Sequence, residues 1–224
     1  MTNPERPSDS VPELDAATIA LVRLSACIAA ASEESVRAAL TECAAAEVSD
    51  SWLEELILQS YLFAGFPRAL NAAREWRRVQ AVGASGNKGA PLTDAAGASY
   101  AHVFDWRLRG EETCATVYGA NYEKLRSNIR RLHPLLDDWM IVEGYGKVLA
   151  RPGLDLARRE LCIVAACAAS GQDRQLHSHL LGARNAGAAA GQVSAVLEAL
   201  DGRAGAAELK RAKQLWEKVR RASN

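Results

Sequence analysis

An acid and a base facing each other from neighbouring helices can exchange a proton with a bound molecule, and the stretch from Glu160 to His179 holds the residue types for it. Gly171 turns the chain, so the residues on either side of it are expected to pack as a helical hairpin. On the second helix Gln172, Gln175 and His179 recur at i, i+3 and i+7 and form one polar stripe, whereas His177 points elsewhere. Leu176, Leu180 and Leu181 surround the stripe, and polar groups among leucines are costly to bury unless satisfied. Glu160, on the preceding helix, is the natural partner of His179. A carboxylate neighbour favours the imidazolium and burial opposes it, which leaves His179 able to act as acid or base. The same pair also suits a purely structural hydrogen bond.

Other chemistry is thinner. His102 and His133 are isolated, and the four histidines offer no i, i+4 pair with a carboxylate third ligand, so no metal is expected. Tyr145, Trp139 and Trp106 have the shape to wall an aromatic pocket, or equally to fill a core. The five cysteines, Cys27, Cys43, Cys114, Cys162 and Cys167, are scattered and never spaced Cys-x-x-Cys, which argues against a disulfide framework or zinc site and for small buried side chains.

The elements that must position these residues are helical. Alanine is abundant, aromatic residues make up 6%, and no segment shows sustained Val/Ile/Thr alternation. With 27 Lys and Arg against 27 Asp and Glu, no overall field points toward nucleic acid or an anionic membrane. The longest apolar stretch, Ile19 to Ala31, is too short to span a bilayer, and Met1 to Ser10 has no basic-then-apolar leader pattern, so a cytoplasmic location is expected.

Laid on itself with an offset of 140 residues, the chain aligns without gaps from Asp15–Val79 to Asp155–Val219. Asp15 falls on Asp155, Ala26-Cys27 on Ala166-Cys167, Ala64-Gly65 on Ala204-Gly205 and Trp76 on Trp216. Each repeat predicts a helix (16–31; 156–169), a turn, a second helix (33–46; 174–186), then a third and fourth divided near Gly65 or Gly202–Gly205. The expected organisation is a flexible arm over 1–13, a first repeat over 14–80, a linker over 81–99, connecting helices over 100–150 and a second repeat over 151–222 that carries the site. In the connecting part Leu125, Ile129 and Leu132 predict an amphipathic helix ended by Pro134, with another starting near Trp139, Ile141 and Tyr145. The last helix, 206–221, sets Leu209, Ala212, Leu215, Trp216 and Val219 opposite Lys and Arg and reads as a docking helix.

Tyr145-Gly-Lys-Val, Arg151-Pro-Gly-Leu-Asp, Arg159-Glu160-Leu, Gln175-Leu-His-Ser-His179 and Gly182-Ala-Arg-Asn-Ala-Gly187 together resemble the carboxymuconolactone decarboxylase family, which also contains the alkylhydroperoxidase D proteins. Glu160 and His179 match that family's glutamate and histidine positions. The resemblance extends to the first repeat at Leu58-Gln-Ser-Tyr-Leu-Phe-Ala-Gly-Phe-Pro-Arg-Ala-Leu-Asn. It implies an all-α chain of two tandem helical repeats with an alkylhydroperoxidase D-like fold, assembled as a homo-oligomer, a trimer first and a dimer as runner-up.

The departures from the family separate its branches. Peroxidase members carry two cysteines twelve and fifteen residues after the glutamate, and this chain has Gln172 and Gln175 there. The decarboxylase branch lacks the cysteines and keeps Leu-x-x-His, which Leu176 and His179 reproduce. In the first repeat Ala20 and Ala39 replace the glutamate and histidine, so that copy reads as a degenerate, structural half. The implied chemistry is cofactor-free decarboxylation or isomerisation of a small carboxylated lactone or related acid. His179 and Glu160 would be catalytic, with Gln175, Gln172, Arg184, Tyr145 and Arg151 toward the substrate and Lys147 as a further candidate cation. Two alternatives stand beside it: a noncatalytic oligomeric scaffold in which the pair is a satisfied core contact, and an antioxidant protein using a non-motif cysteine such as Cys162 or Cys167.

Overall fold

The computed structural model describes residues 14–83 and 102–222. The arm expected over 1–13 and the linker expected over 81–99 lie outside them, except for residues 81–83, which close a helix. Among the described residues every regular element is helical. In chain order these are α1 (Ala16–Ala30), α2 (Glu33–Ala45), α3 (Asp50–Gly83), α4 (His102–Tyr118), α5 (Tyr122–Leu132), α6 (Pro134–Trp139), a π-helical stretch (Met140–Leu149), α7 (Leu156–Ala169), α8 (Asp173–Asn185), α9 (Ala190–Ala199) and α10 (Ala206–Ala222).

Two of these are apolar nearly all round and therefore central. Leu21, Leu24 and Ile28 of α1 and Leu161, Ile163 and Val164 of α7 are buried where the two helices pack together. α2 covers α1 and α8 covers α7. Both central helices begin on an aspartate cap: Asp15 accepts from the Thr18 amide at 2.7 Å and Asp155 from the Arg158 amide at 2.9 Å. The indoles Trp76 and Trp216, also 140 residues apart, donate to Glu54 and Ser194 at 3.0 and 2.8 Å.

The halves differ in their third and fourth helices. After α9 the chain turns through 200–205 before α10, as the glycines predict, whereas the first half runs as one helix bent at Gly65, whose φ of 80° permits the kink ahead of Pro67. Across the halves, buried Arg159 donates to Glu55 (2.8 Å) and Gln59 (3.2 Å) of α3, and Ser25 donates to the Cys162 carbonyl at 2.7 Å.

The connecting part is built on a close backbone crossing. α4 lies against the π-helical stretch so tightly that a Cβ at Gly146 would stand 1.8 Å from the Trp106 carbonyl oxygen, and one at Gly110 2.2 Å from that of Ile141. Pro134 both ends α5 and opens α6, where His133 Nδ1 accepts from the Leu135 amide at 3.1 Å. Asp137, on α6, is buried and held by the guanidinium groups of Arg126 and Arg130.

Hydrogen bonds from Arg126, aided by Arg130, hold the Asp137 carboxyl below the ordinary aspartate range, so its stabilising contribution is present near neutrality and is lost as the pH falls below about 4. Asp137→Asn is therefore expected to cost about 3 kcal/mol in denaturant unfolding at pH 7. The gap between wild type and variant should close in increasingly acid buffer.

Candidate active site

α7 and α8 form the hairpin that brings the acid and the base together. Gly171, at φ 69°, makes the turn between them. Glu160 is fully buried and its Oε2 lies 2.8 Å from Nδ1 of His179, which keeps 5% of its surface exposed. Glu160 Oε1 is buried with no hydrogen-bond partner among the described residues. One turn beyond His179, a Cβ at Gly182 would stand 2.6 Å from Glu160 Oε2 and 2.7 Å from a Val117 methyl, so only a hydrogen lets α8 seat this closely. Asn185, near the end of α8, donates to the Val117 carbonyl at 2.9 Å and fixes α8 against α4.

Three aromatic residues complete the surroundings. Phe63 of α3 meets the His179 ring edge-on at 5.4 Å. Tyr118, the last residue of α4, and Tyr145, in the π-helical stretch, cross edge-on at 6.2 Å. Burial pushes the Tyr118 phenol up to about 12 and the Tyr145 phenol well above its ordinary range, and the Glu160 charge adds to both. Cys114 and Cys167 share this field and are each raised to about 12, chiefly by burial. The pair therefore sits among hydroxyls and thiols that are uncharged near neutral pH and can donate.

Of the residues expected around a substrate, Tyr145 joins Glu160 and His179 in this cluster. Gln172 and Gln175 are exposed at the start of α8. Arg151 is committed to Glu55, with its Nη2 3.1 Å from Oε1. Arg184 lies past His179 toward the end of α8 and donates to the Ala188 carbonyl. Lys147 pairs with Glu143 at 3.2 Å and lies 5.1 Å from the centre of the Trp106 ring. Trp139 is exposed on α6. Sequence reasoning missed Tyr118 and Phe63. Tyr118 carries only a weak signal, an aromatic residue directly before Gly119, and Phe63 comes from the half of the chain without the acid and base.

Among the described residues no group of three or more His, Cys, Asp or Glu side chains is placed to hold a metal. None of their helices is long and apolar enough to cross a membrane. An all-helical hairpin presenting a buried glutamate to a histidine defines the class of site. Residues 138–218, which contain both groups, match the model of the carboxymuconolactone decarboxylase family. No curated protein matches the chain.

The thiols bear on the antioxidant alternative. All five are buried, and burial raises Cys27, Cys43 and Cys162 as it does Cys114 and Cys167, whereas attack on a peroxide needs a thiolate. Native protein is accordingly expected to leave a colorimetric disulfide reagent unreacted at pH 7–8, with all five thiols titrating once the chain is unfolded in guanidinium. Rapid modification of even one thiol in the native state would return a nucleophile to consideration.

Proposed function

We propose that this chain is a carboxymuconolactone decarboxylase-like enzyme that moves protons, without a cofactor, in the decarboxylation or isomerisation of a small carboxylated lactone or related acid. His179 carries the proton and Glu160 orients the ring. The observation behind this reading is the buried 2.8 Å contact between the two, within the segment matched by the family. Loss of carbon dioxide leaves an enolate that must take up a proton, and an imidazole steered by a carboxylate is suited to deliver one. Arg151 and Arg184, already engaged by Glu55 and the Ala188 carbonyl, are poor holders for a substrate carboxylate.

A second reading, a noncatalytic scaffold, has one observation in its favour: Glu160 is sealed from solvent and His179 nearly so. We infer a homo-oligomer in either case, a trimer ahead of a dimer. Phe66 and Leu70 on α3, Phe104 and Leu108 on α4, and Leu135 and Trp139 on α6 are large apolar side chains left exposed, more than an isolated chain needs.

With 4-carboxymuconolactone as trial substrate and carbon dioxide release as readout, His179→Ala is expected to lower the rate roughly 10²–10⁴-fold. Unchanged turnover would remove His179 from the chemistry. A wild type inactive across a panel of carboxylated lactones, together with a His179→Ala variant that melts about 10 °C lower, would favour the scaffold. Light scattering on the eluted protein should return three times the 24.1 kDa chain mass, and a single-chain mass would refute assembly.

A further inference from the structure

The side of α8 that faces Glu160 carries Leu176, His179, Leu180 and Ala183, all buried. On its opposite side Arg174, His177, Ser178 and Leu181 recur at i, i+3, i+4 and i+7 and take no part in the acid/base pair. Two cavities open on this outer stripe. One, of about 470 Å³, lies between α8 and α10, and the other, of about 300 Å³, between α8, the end of α4 and α5. His177 lines both, so they adjoin at its imidazole. The first gathers three cations, Arg174, Arg211 and Lys218, beside Leu215. Arg211 is engaged by Asp173 at 3.4 Å and by Glu208 at 3.2 Å, whereas Arg174 and Lys218 are exposed and form no ion pair among the described residues. In a chain of zero net charge, two such cations on one cavity repel each other, and a dianion between them turns that repulsion into attraction. The second cavity has another character: Val117, Leu125, Leu181 and the half-buried Tyr118 make an apolar wall, and Asn121 and Asn128 bring side-chain amides. Lys124 also lines it, and no carboxylate does.

We propose that the outer face of α8 is a binding site for a nucleoside monophosphate, whose phosphate lies between Arg174 and Lys218 and whose base lies in the second cavity. The Arg174 guanidinium offers a pair of parallel donors to the phosphate oxygens and the Lys218 ammonium a point charge, so together they match a dianion. A flat ring with hydrogen-bonding edges fits the other seat, its face on Tyr118 and Leu181 and its edge on the amides of Asn121 and Asn128. The two seats share one helical stripe, Arg174 to Leu181, about 10 Å long, which is the reach of a mononucleotide from phosphate to base. His177 and Ser178, at the junction, are placed to meet the sugar hydroxyls. This site is separate from the Glu160–His179 pair and does not depend on the acid/base reading.

The probe is adenosine 5′-monophosphate, titrated calorimetrically into the full chain, with adenosine and inorganic phosphate titrated separately as its two parts. The nucleotide should bind about tenfold or more tightly than either part, because joining them makes the second contact intramolecular. Arg174→Gln combined with Lys218→Gln, both at exposed helix positions, should weaken nucleotide binding about tenfold or more, and Asn121→Ala combined with Asn128→Ala about fivefold. Lys210→Gln combined with Arg220→Gln removes the same charge from α10 at positions that do not line either cavity, and should leave the affinity within about twofold. A wild type that does not bind the nucleotide, or an affinity that survives Arg174→Gln with Lys218→Gln, overturns the site. Equal weakening by Lys210→Gln with Arg220→Gln reduces the effect to the general pull of a basic helix and overturns it as well. A nucleotide bound no more tightly than inorganic phosphate, or unaffected by the two asparagine changes, overturns the seat assigned to the base.

Discussion

A carboxylate placed in a helical core, with no exposure, must be matched by a partner or it unfolds the region around it. Here that carboxylate is Glu160, and much of the second half of the chain is arranged so that His179 can be its partner. The turn at Gly171 sets the hairpin, the bare backbone at Gly182 lets α8 approach to contact distance, and Asn185 anchors the far end of α8 to α4. Each of these serves a single 2.8 Å contact, and each is a local choice consistent with the global one.

The first half supports the site without supplying acid or base. Ala20 and Ala39 stand where the offset of 140 residues would put a second glutamate and histidine, so α1 becomes a plain apolar surface on which α7 packs. What α3 adds is specific: Phe63 closes over the His179 ring, and Glu55 and Gln59 receive the guanidinium of Arg159. Arg159 is adjacent in sequence to Glu160, and with no exposure at all it fixes the first turn of α7 from the opposite side. The π-helical stretch carries Tyr145. Wide helical turns of this kind recur at functional sites.

Arg151 and Arg184 are engaged by Glu55 and by a backbone carbonyl, while Lys124, exposed on α5 some fifty residues before the histidine in the chain, lines a cavity formed by α4, α5 and α8. Distance along the chain is a poor guide to such groups, since a helical fold brings together faces rather than neighbours.

The helical class, the hairpin and the pairing of Glu160 with His179 are legible in the sequence, because each rests on short-range periodicity or a turn glycine. The kink at Gly65 and the dual role of Pro134, ending one helix and starting another, are only half legible, since glycine and proline mark a break without saying what resumes after it. That Tyr118 and Phe63 flank the pair, that Arg151 is taken by Glu55, that the glutamines of α8 face solvent and that the pair itself is sealed were decided by tertiary structure alone. The physical reason is that periodicity defines which face of a helix is apolar, whereas the partner of that face, and the side chains trapped between the two, depend on packing across the whole chain.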